Sequence, residues 1–495
     1  MLVKNAIAYS GTNLISQVAL FIQGLVLRNL LPPQIMGLWE YVKIARGFLA
    51  HFSIGILTGA VRELPLLKGQ MDEKGQQDSR SVSLTYSLTE VTIVSICVVI
   101  YAMLRKNLIL YDEYFALLLT AALLFFMRFQ ESYLTFFQGA QLYVPLSKLL
   151  FINSFILAIS LPIGAVLMGL WGVFLGALVA EGLKAVWIFI GARSFGIRPE
   201  VKWNFQIFKR LASFGILYKI NDYPLSLFLM LDALWVTKFM DLKSLAIYAM
   251  IRSFFLQGSE ITIRFGTVFY TRMMEQYGKN EDKAKIAGDI DKFIHLQLLV
   301  AIPLVCWAIF SVVPFVIRQV TPSYAEGIYP LAILLIANFF EPRNNNLFTV
   351  WIAEKRLGSY GKANLFSLAS MLVAFSLAWF LIGSKTLSSV AIAVVSGYLV
   401  SFIYILFTIG KEMLGIKESF SLFIKIILTA IWAGGILIYF GSKEVLSMSF
   451  SNDIVFSLKK TIIIFALFTP VIFIGMKNSG AQNLLYNWWK TKKSV

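Results

Sequence analysis

The sequence predicts an all-α membrane protein with about 14 transmembrane helices, arranged as two six-helix lobes related by a parallel repeat and two extra C-terminal helices. Three observations lead to this prediction. Of the 495 residues, 58% are hydrophobic and only 14% are charged, whereas a soluble domain is about 45–50% apolar. Apolar runs of roughly 20 residues, long enough to cross a bilayer as a helix, recur along the whole chain. Two segments of the first lobe also resemble segments about 210 residues later.

Clusters of charged residues, proline and glycine divide the chain into candidate spans. The predicted limits are 6–31, 35–61, 82–104, 114–138, 144–168, 170–192, 211–237, 244–270, 293–317, 326–352, 361–383, 386–410, 421–440 and 459–476. The segments between these spans are too short for a soluble domain. The chain is therefore predicted to lie almost entirely in the membrane.

The distribution of basic residues predicts the orientation of the helices. Of the 44 Lys and Arg residues, 26 fall on segments that share one side and nine on the other side. Because cytoplasmic loops carry the excess of Lys and Arg, both termini are predicted to be cytoplasmic, in the cell inner membrane. The segment after Lys4 lacks a cleavage site and predicts an uncleaved first helix, and NWWKTKK (487–493) predicts an interfacial anchor.

An internal repeat is predicted from two weak alignments. GLWEYVK (37–43) lies over AIYAMIR (246–252) at an offset of 209. The segment 128–148 lies over the segment around Arg343 at an offset of 214, which pairs Gln130 with Asn344 and Lys148 with Lys362. Six helices are an even number, so both copies would share one orientation, as in parallel repeats related by an axis along the membrane normal.

The repeat predicts three parts of the chain. These are an N-lobe of six helices at 1–200, a C-lobe of six helices at 201–412, and two further helices with a basic tail at 413–495. The basic segment 191–210 is predicted to be the linker between the lobes and to lie amphipathically on the cytoplasmic face.

Two segments carry a family resemblance. KNAIAYSGTNLISQVALFIQGLVLRNLLPPQIMGLWEYVK (4–43) and LDALWVTKFMDLKSLAIYAMIRSF (231–254) resemble Wzx-type polysaccharide flippases of the multidrug/oligosaccharidyl-lipid/polysaccharide exporter superfamily. The resemblance implies a two-lobe transporter with alternating access to a central cavity. It also implies an undecaprenyl-diphosphate-linked oligosaccharide as substrate, moved to the outer leaflet for cell-surface polysaccharide biosynthesis. The partners it implies are this lipid-linked oligosaccharide, membrane lipids, and a glycan polymerase or glycosyltransferases of the same pathway.

Apart from charges near the span ends that are counted with the loops, seventeen charged side chains fall within the predicted spans. A charge in the bilayer core costs at least about 2.5–3.5 kcal/mol, so each should face the bundle interior or water. A diphosphate would need a hydrated, cationic path, and the arginine fork binds phosphate oxygens in pairs. The cations predicted to line the cavity and bind substrate are Arg28, Lys43, Arg46, Arg128, Lys219, Arg252, Arg264 and Arg343.

Structural pairing is the alternative role for any one of these cations. Several stand one helical turn from an acid, where the two charges would neutralise each other. These pairs are Lys43 with Glu40, Arg128 with Glu131, Lys184 with Glu181, and Arg264 with Glu260. Of the four, Lys184 with Glu181 is favoured as purely structural.

Acidic side chains in the spans are candidates for coupling transport to an ion. The candidates are Asp222, Asp232, Glu131, Glu260 and Glu341. Asp222 and Asp232 are ten residues apart on one helix, which places them on different sides and predicts no joint site. Several aromatic residues among the charged positions could stack on sugar rings, although ordinary packing is their commoner role. These are Trp39, Tyr41, Tyr218, Tyr223 and Tyr248.

Two other functions compete with the flippase hypothesis. A cation-coupled drug or metabolite exporter on the same fold would have an acid-dominated pocket, whereas bases outnumber acids nine to eight within the spans. A glycan polymerase or ligase would need a catalytic constellation, and the sequence contains no nucleophile motif, phosphate loop or metal-ligand cluster. The sequence therefore predicts no enzyme activity, no cofactor, no metal and no nucleic-acid partner.

Overall fold

The computed structural model describes residues 16, 19–51, 53–140, 142–278, 283–341, 347, 350–351, 356–443 and 449–479. Only the backbone is described at 65–66, 69, 143, 264–278 and 283–284. The regular elements within these ranges are all helices.

The described residues form sixteen α-helices, α1 to α16. The helices are α1 (Ala19–Leu30), α2 (Pro33–His51), α3 (Ile56–Gly69), α4 (Glu73–Arg105), α5 (Tyr111–Gly139), α6 (Tyr143–Ser194), α7 (Phe205–Phe239) and α8 (Leu242–Gly278). They continue with α9 (Lys283–Leu296), α10 (Ile302–Val320), α11 (Ile328–Ile336), α12 (Leu357–Ser376), α13 (Leu387–Ile405), α14 (Lys411–Leu414), α15 (Ile416–Ser442) and α16 (Phe450–Ser479). Short π-helical or 3₁₀ turns extend α10 to α13, at 297–301, 322–327, 337–339, 377–381 and 406–410.

The described helices form fourteen successive segments, each of which overlaps one predicted span. α2 with α3, α9 with α10, and α13 with α14 each make one segment, whereas α6 makes two. Eight described helices are long and apolar enough to cross a membrane, or nine when the bent pair of α2 and α3 is included. α7 and α8 are long enough but more polar. The prediction of an all-α polytopic membrane protein is confirmed. The beginning of the first span and the anchor at 487–493 lie outside the described residues.

The boundary between the fifth and sixth spans is a sharp turn within α6. Met168 and Gly169 leave helical geometry, and Gly169 has a φ of +58°, which costs glycine no steric penalty because it lacks a Cβ. The two arms of α6 then pack closely, because a Cβ at Gly164 would overlap the carbonyl of Gly172. The predicted break between 168 and 170 is confirmed at this position.

By contacts, the chain divides into two compact units, Met1–Ser226 with Asp241–Ala246 and Leu227–Met240 with Ile247–Val495. In the first unit, α5 packs against α2, α3, α4 and α6. Its core is a cluster of buried aromatic and aliphatic side chains that includes Tyr133, Phe136 and Phe137. In the second unit, α12 packs along α13, α10 along α16, and α11 along α15. The predicted lobe limits at 1–200, 201–412 and 413–495 stay predictions.

Residues 195–204 connect α6 to α7 without helical structure. Val201 and Trp203 are exposed there, next to the basic residues Arg198 and Lys202. Lys202 binds Asp78 at 2.5 Å. This connection lies within the predicted linker at 191–210 and presents apolar and basic side chains together.

Candidate functional site

The second span is interrupted in the middle of the first unit. α2 ends at His51, α3 begins at Ile56, and the two helices are bent by 66°. Gly55 has a φ of +80°, a conformation that other residues rarely adopt. A helix break inside a membrane leaves backbone polar groups that must find partners in the protein or in a water-filled cavity.

Two charged side chains satisfy backbone groups on the two sides of this break. Arg128 of α5 donates from Nη2 to the carbonyl oxygen of Ala50 at 2.8 Å, near the C-terminal end of α2. Glu90 of α4 accepts from the backbone N–H of Ile54 at 2.7 Å, just before α3. A cation at a helix C-terminus and an anion at a helix N-terminus both match the helix dipole. The break is therefore stabilised from both sides.

α7 is the third helix that contacts the break. The Tyr223 hydroxyl donates to the carbonyl oxygen of Ser53 at 2.8 Å. Earlier in α7, Gly215 crosses Gly55 so closely that a Cβ on either residue would overlap the backbone of the other. Tyr223 and Gly215 thus fix α7 against the interrupted span.

A cavity of about 640 Å³ lies beside the break, within the first unit. This volume is in the range of small-molecule binding sites. The lining residues come from α2, α3, α5, α7 and the break, and they are Ala50, His51, Ser53, Leu57, Thr58, Val61, Arg62, Arg128, Glu131, Leu134, Thr135, Gln138, Phe214, Tyr218 and Lys219. We call this cavity the helix-break cavity.

Three cations and one carboxylate line the helix-break cavity. Arg128 donates from Nη1 to Glu131 at 2.9 Å, and its buried Nε has no hydrogen-bond partner. Arg62 lies over the ring of Phe214, 4.8 Å from the centroid. Lys219 has no hydrogen-bond or ion-pair partner among the described residues. The cavity therefore carries positive charge that its own carboxylate does not neutralise, and it is suited to an anion.

Two other predicted cations, Arg28 and Lys43, share a single carboxylate. Arg28 Nη2 and Lys43 Nζ bind the two oxygens of Glu40, at 2.8 Å and 2.6 Å. The side chains of Arg28 and Glu40 are 7% and 5% exposed. This cluster joins α1 to α2, and the predicted pairing of Lys43 with Glu40 is observed.

Arg46 belongs to a second cluster around Glu181. Arg46 Nη1 lies 3.3 Å from Glu181 Oε1, while Lys184 Nζ and Gln130 Nε2 each lie 2.8 Å from Oε2. The cluster joins α2, α5 and α6. The predicted structural pairing of Lys184 with Glu181 is observed, and Arg46 is an additional partner of the same carboxylate.

In the second unit, Arg252 is fixed by a buried acid. Its Nε donates to Asp232 Oδ2 at 2.8 Å, and its Nη2 donates to the carbonyl oxygen of Leu229. The Tyr248 hydroxyl donates to the same Asp232 oxygen at 2.7 Å. Arg252 and Tyr248 thus share one oxygen of Asp232, and this ion-paired set joins α7 to α8.

The remaining predicted residues are placed as follows. Asp222 accepts from the Ser226 hydroxyl at 3.4 Å. Glu341 is buried and Glu260 is half-buried. Arg343 and the side chain of Arg264 lie outside the described part of the chain. The structure therefore brings Arg128, Lys219 and Glu131 together in one cavity and places Arg28, Lys43, Arg46 and Arg252 in separate clusters.

Sequence reasoning missed Arg62, Glu90 and a fully buried ion pair. Arg62 follows the predicted end of the second span at 61, so the sequence places it on a cytoplasmic segment. The Arg318 and Asp453 side chains are fully buried, and Arg318 Nε lies 3.0 Å from Asp453 Oδ1. They join α10 to α16 from positions 135 residues apart, a distance over which no sequence spacing indicates contact. Among the described residues, no group of three His, Cys, Asp or Glu side chains is arranged to hold a metal ion.

Comparison with solved structures identifies the fold. No protein-family model matches the sequence, and no curated protein matches it. The lipid II flippase MurJ in an inward closed conformation matches with a TM-score of 0.65 and 12% identity, over 95% of this chain and 99% of that chain. An inward-facing multidrug resistance MATE family transporter of the MOP superfamily matches with a TM-score of 0.63 and 14% identity, over 83% of this chain and 99% of that chain.

A third match is a MOP superfamily transporter from Pyrococcus furiosus, for which reversed polarity of the binding pocket suggests a different function. Its TM-score is 0.51 at 15% identity, and the match covers 83% of this chain and 94% of that chain. At sequence identities this low, the similarity to these three structures shows the fold alone. The chain is a multi-pass helical membrane protein with the fold of MATE family transporters and of MurJ.

Proposed function

We propose that this protein is a membrane transporter of the MOP superfamily that flips an undecaprenyl-diphosphate-linked oligosaccharide from the cytoplasmic to the outer leaflet. The transporter would serve cell-surface polysaccharide biosynthesis and would belong to its Wzx-type branch. It would lie in the inner membrane with both termini in the cytoplasm, next to the polymerase or glycosyltransferases of the same pathway.

The observation that carries this proposal is the charge of the helix-break cavity. Arg62, Arg128 and Lys219 face one carboxylate, Glu131, in a chamber of about 640 Å³. A diphosphate carries negative charge that must stay solvated while it leaves the membrane surface, and fixed cations can replace part of its water. Tyr218 also lines this cavity and offers an aromatic face next to the cations.

An exporter of cationic drugs on the same fold would need the opposite polarity. Its pocket would hold carboxylates that attract the cation and couple its release to an ion. In this protein Asp232 is occupied by Arg252 and Tyr248, and Glu131 is shared with Arg128. These two candidate coupling acids are thus paired with cations, which favours an anionic substrate.

Deleting the gene in the native host tests the proposal. Surface glycan and lipid extracts are analysed by mass spectrometry after complementation with wild type, Lys219→Gln, Arg62→Gln and Arg105→Gln. Lys219→Gln and Arg62→Gln remove cavity charge, while the matched control Arg105→Gln removes an exposed arginine at the end of α4.

The flippase proposal predicts loss of one surface polymer in the deletion strain, with its diphosphate-lipid precursor accumulating inside. Wild type and Arg105→Gln restore the polymer, whereas Lys219→Gln and Arg62→Gln restore it poorly at equal expression. An intact surface glycan together with altered drug sensitivity would contradict the flippase proposal and favour a drug exporter.

A further inference from the structure

A second cavity, of about 570 Å³, lies at one end of the first unit, where α3 ends and α4 begins. Lys68 lines it from the last turn of α3, and Gly196 lines it from the connection after α6. The rest of its polar wall comes from the first two turns of α4. Positive-inside counting predicts that this end of the bundle is cytoplasmic.

The α4 residues of this wall form one stripe. Glu73, Gln76, Gln77 and Arg80 all line the cavity, and their spacing of i, i+3, i+4 and i+7 places them on one face of the helix. Glu73 is exposed at the start of α4, whereas Arg80 lies two turns deeper and is half-buried. The stripe is therefore negative at its water end and positive at its membrane end.

Neither of the two cations of the cavity uses all of its donors within the described protein. Arg80 donates from Nη2 to Gln76 Oε1 at 3.1 Å, and its buried Nε has no hydrogen-bond partner. Lys68 Nζ donates to the carbonyl oxygen of Ala140 at 2.7 Å, which uses one of its three donors. Glu73 has no hydrogen-bond or ion-pair partner among the described residues.

One wall of the cavity is fixed before any ligand binds. Gln77 Nε2 donates to the carbonyl oxygen of Arg198, and the backbone N–H of Glu200 donates to Ser81 Oγ at 3.0 Å. These bonds hold the connection after α6 along α4. A pre-formed wall lowers the ordering cost of binding.

We propose that this cavity binds the zwitterionic headgroup of a phosphatidylethanolamine lipid. The phosphate would accept from Lys68 and Arg80, and the ammonium group would donate to Glu73. In either leaflet a lipid places its phosphate nearer the acyl chains and its amine nearer water, which is the order of charges along the α4 stripe. An anionic lipid without an amine would leave Glu73 unpaired next to its phosphate. The proposal does not depend on the substrate of the helix-break cavity.

Native mass spectrometry of the full-length protein in neutral detergent tests this proposal. The probes are phosphatidylethanolamine, phosphatidylglycerol and phosphatidylcholine with identical acyl chains at equal concentration. Wild type should retain phosphatidylethanolamine about tenfold better than either other lipid, the effect of one additional charged hydrogen bond. Phosphatidylcholine serves as the probe with an amine that cannot donate.

Variants test the contacts of the lipid phosphate and of its ammonium group separately. Lys68→Gln and Arg80→Gln should each lower retention of phosphatidylethanolamine about tenfold. Glu73→Gln, on an exposed side chain, should remove the preference over phosphatidylglycerol while the protein stays folded. Lys74→Gln, one residue off the stripe, should match wild type. Equal retention of the three lipids by wild type, or a preference that persists in Glu73→Gln, would overturn the proposal.

Discussion

The cations of the first unit differ in how completely their charge is neutralised. Arg28 and Lys43 share Glu40, and Arg46 shares Glu181 with Lys184. Such groups hold helices together. Arg128 is likewise paired, with Glu131, whereas Lys219 has no hydrogen-bond or ion-pair partner among the described residues. The helix-break cavity therefore holds a cation without an ion-pair partner among the described residues, and the proposed substrate site is placed there.

Lys219→Gln and Arg128→Gln should separate substrate binding from helix stability. Lys219→Gln is expected to lower transport about tenfold, the effect of one charge-assisted hydrogen bond, without a change in melting temperature. Arg128→Gln should lower both, because the carbonyl of Ala50 also loses its donor. Transport and thermal unfolding of the two purified variants are compared with wild type. Equal destabilisation by both variants would contradict the assignment.

Glu131→Gln should tighten the binding of anions. Arg128 then no longer shares its Nη1 with a carboxylate, and the net positive charge of the cavity rises by one. Affinity for a short-chain prenyl diphosphate is expected to rise about threefold to tenfold, as measured by calorimetry. Asp112→Asn, on an exposed residue at the start of α5, is the matched control. Weaker binding by Glu131→Gln would show that the carboxylate contacts the ligand or its counter-ion.

Short-range pairing could be predicted from the sequence at this scale, and long-range pairing could not. The pairs one turn apart on a helix, such as Lys43 with Glu40 and Arg128 with Glu131, are observed. Arg252 was predicted as a cavity cation, and its ion pair with Asp232 depends on how α7 packs on α8. The periodicity of residues within one helix does not indicate which residues of two helices come into contact.

At the scale of elements, the interrupted second span is the feature that positions the cavity. Its backbone groups are bound by Arg128, Glu90 and Tyr223 from three different helices. The sequence HFSIG (51–55) contains no proline and continues an apolar run, so the break was not predicted. Gly55 is the one residue of this segment whose type favours a helix break. Discontinuous helices at substrate sites recur in transporters.

Gly215→Ala should damage the packing of α7 against this break. A Cβ at Gly215 would overlap the carbonyl of Gly55, and such overpacking costs about 1–3 kcal/mol. Gly435→Ala in α15 is the matched control, because a Cβ there would meet no neighbouring atom. The melting temperature in detergent should fall for Gly215→Ala and stay unchanged or rise for Gly435→Ala. Unchanged stability of Gly215→Ala would contradict the close crossing.

Arg252→Gln should weaken the contact between α7 and α8. The variant leaves the buried carboxylate of Asp232 without its counter-ion, which costs about 3–5 kcal/mol. Asp232→Asn combined with Arg252→Gln should recover part of this loss, because the pair is then replaced by neutral groups. A double-mutant cycle on thermal unfolding measures the coupling. Additive effects would contradict the ion pair.

At the scale of the whole molecule, the order of the fourteen described helical segments could be predicted because apolar runs of membrane length dominate the sequence. The substrate could not be read from the fold. Structures of a lipid II flippase and of a multidrug resistance transporter match this chain almost equally well, with TM-scores of 0.65 and 0.63. The fold therefore does not identify the substrate, and the proposed function depends on the charge of the cavity.

Flipping of a fluorescent prenyl-diphosphate oligosaccharide in proteoliposomes tests the central claim most directly. The fraction of lipid that a membrane-impermeant quencher reaches is followed over time for wild type, Lys219→Gln and Arg105→Gln. The cationic cavity predicts flipping by wild type and Arg105→Gln, and flipping about tenfold slower by Lys219→Gln. Equal rates for all three proteins and for protein-free vesicles would contradict it.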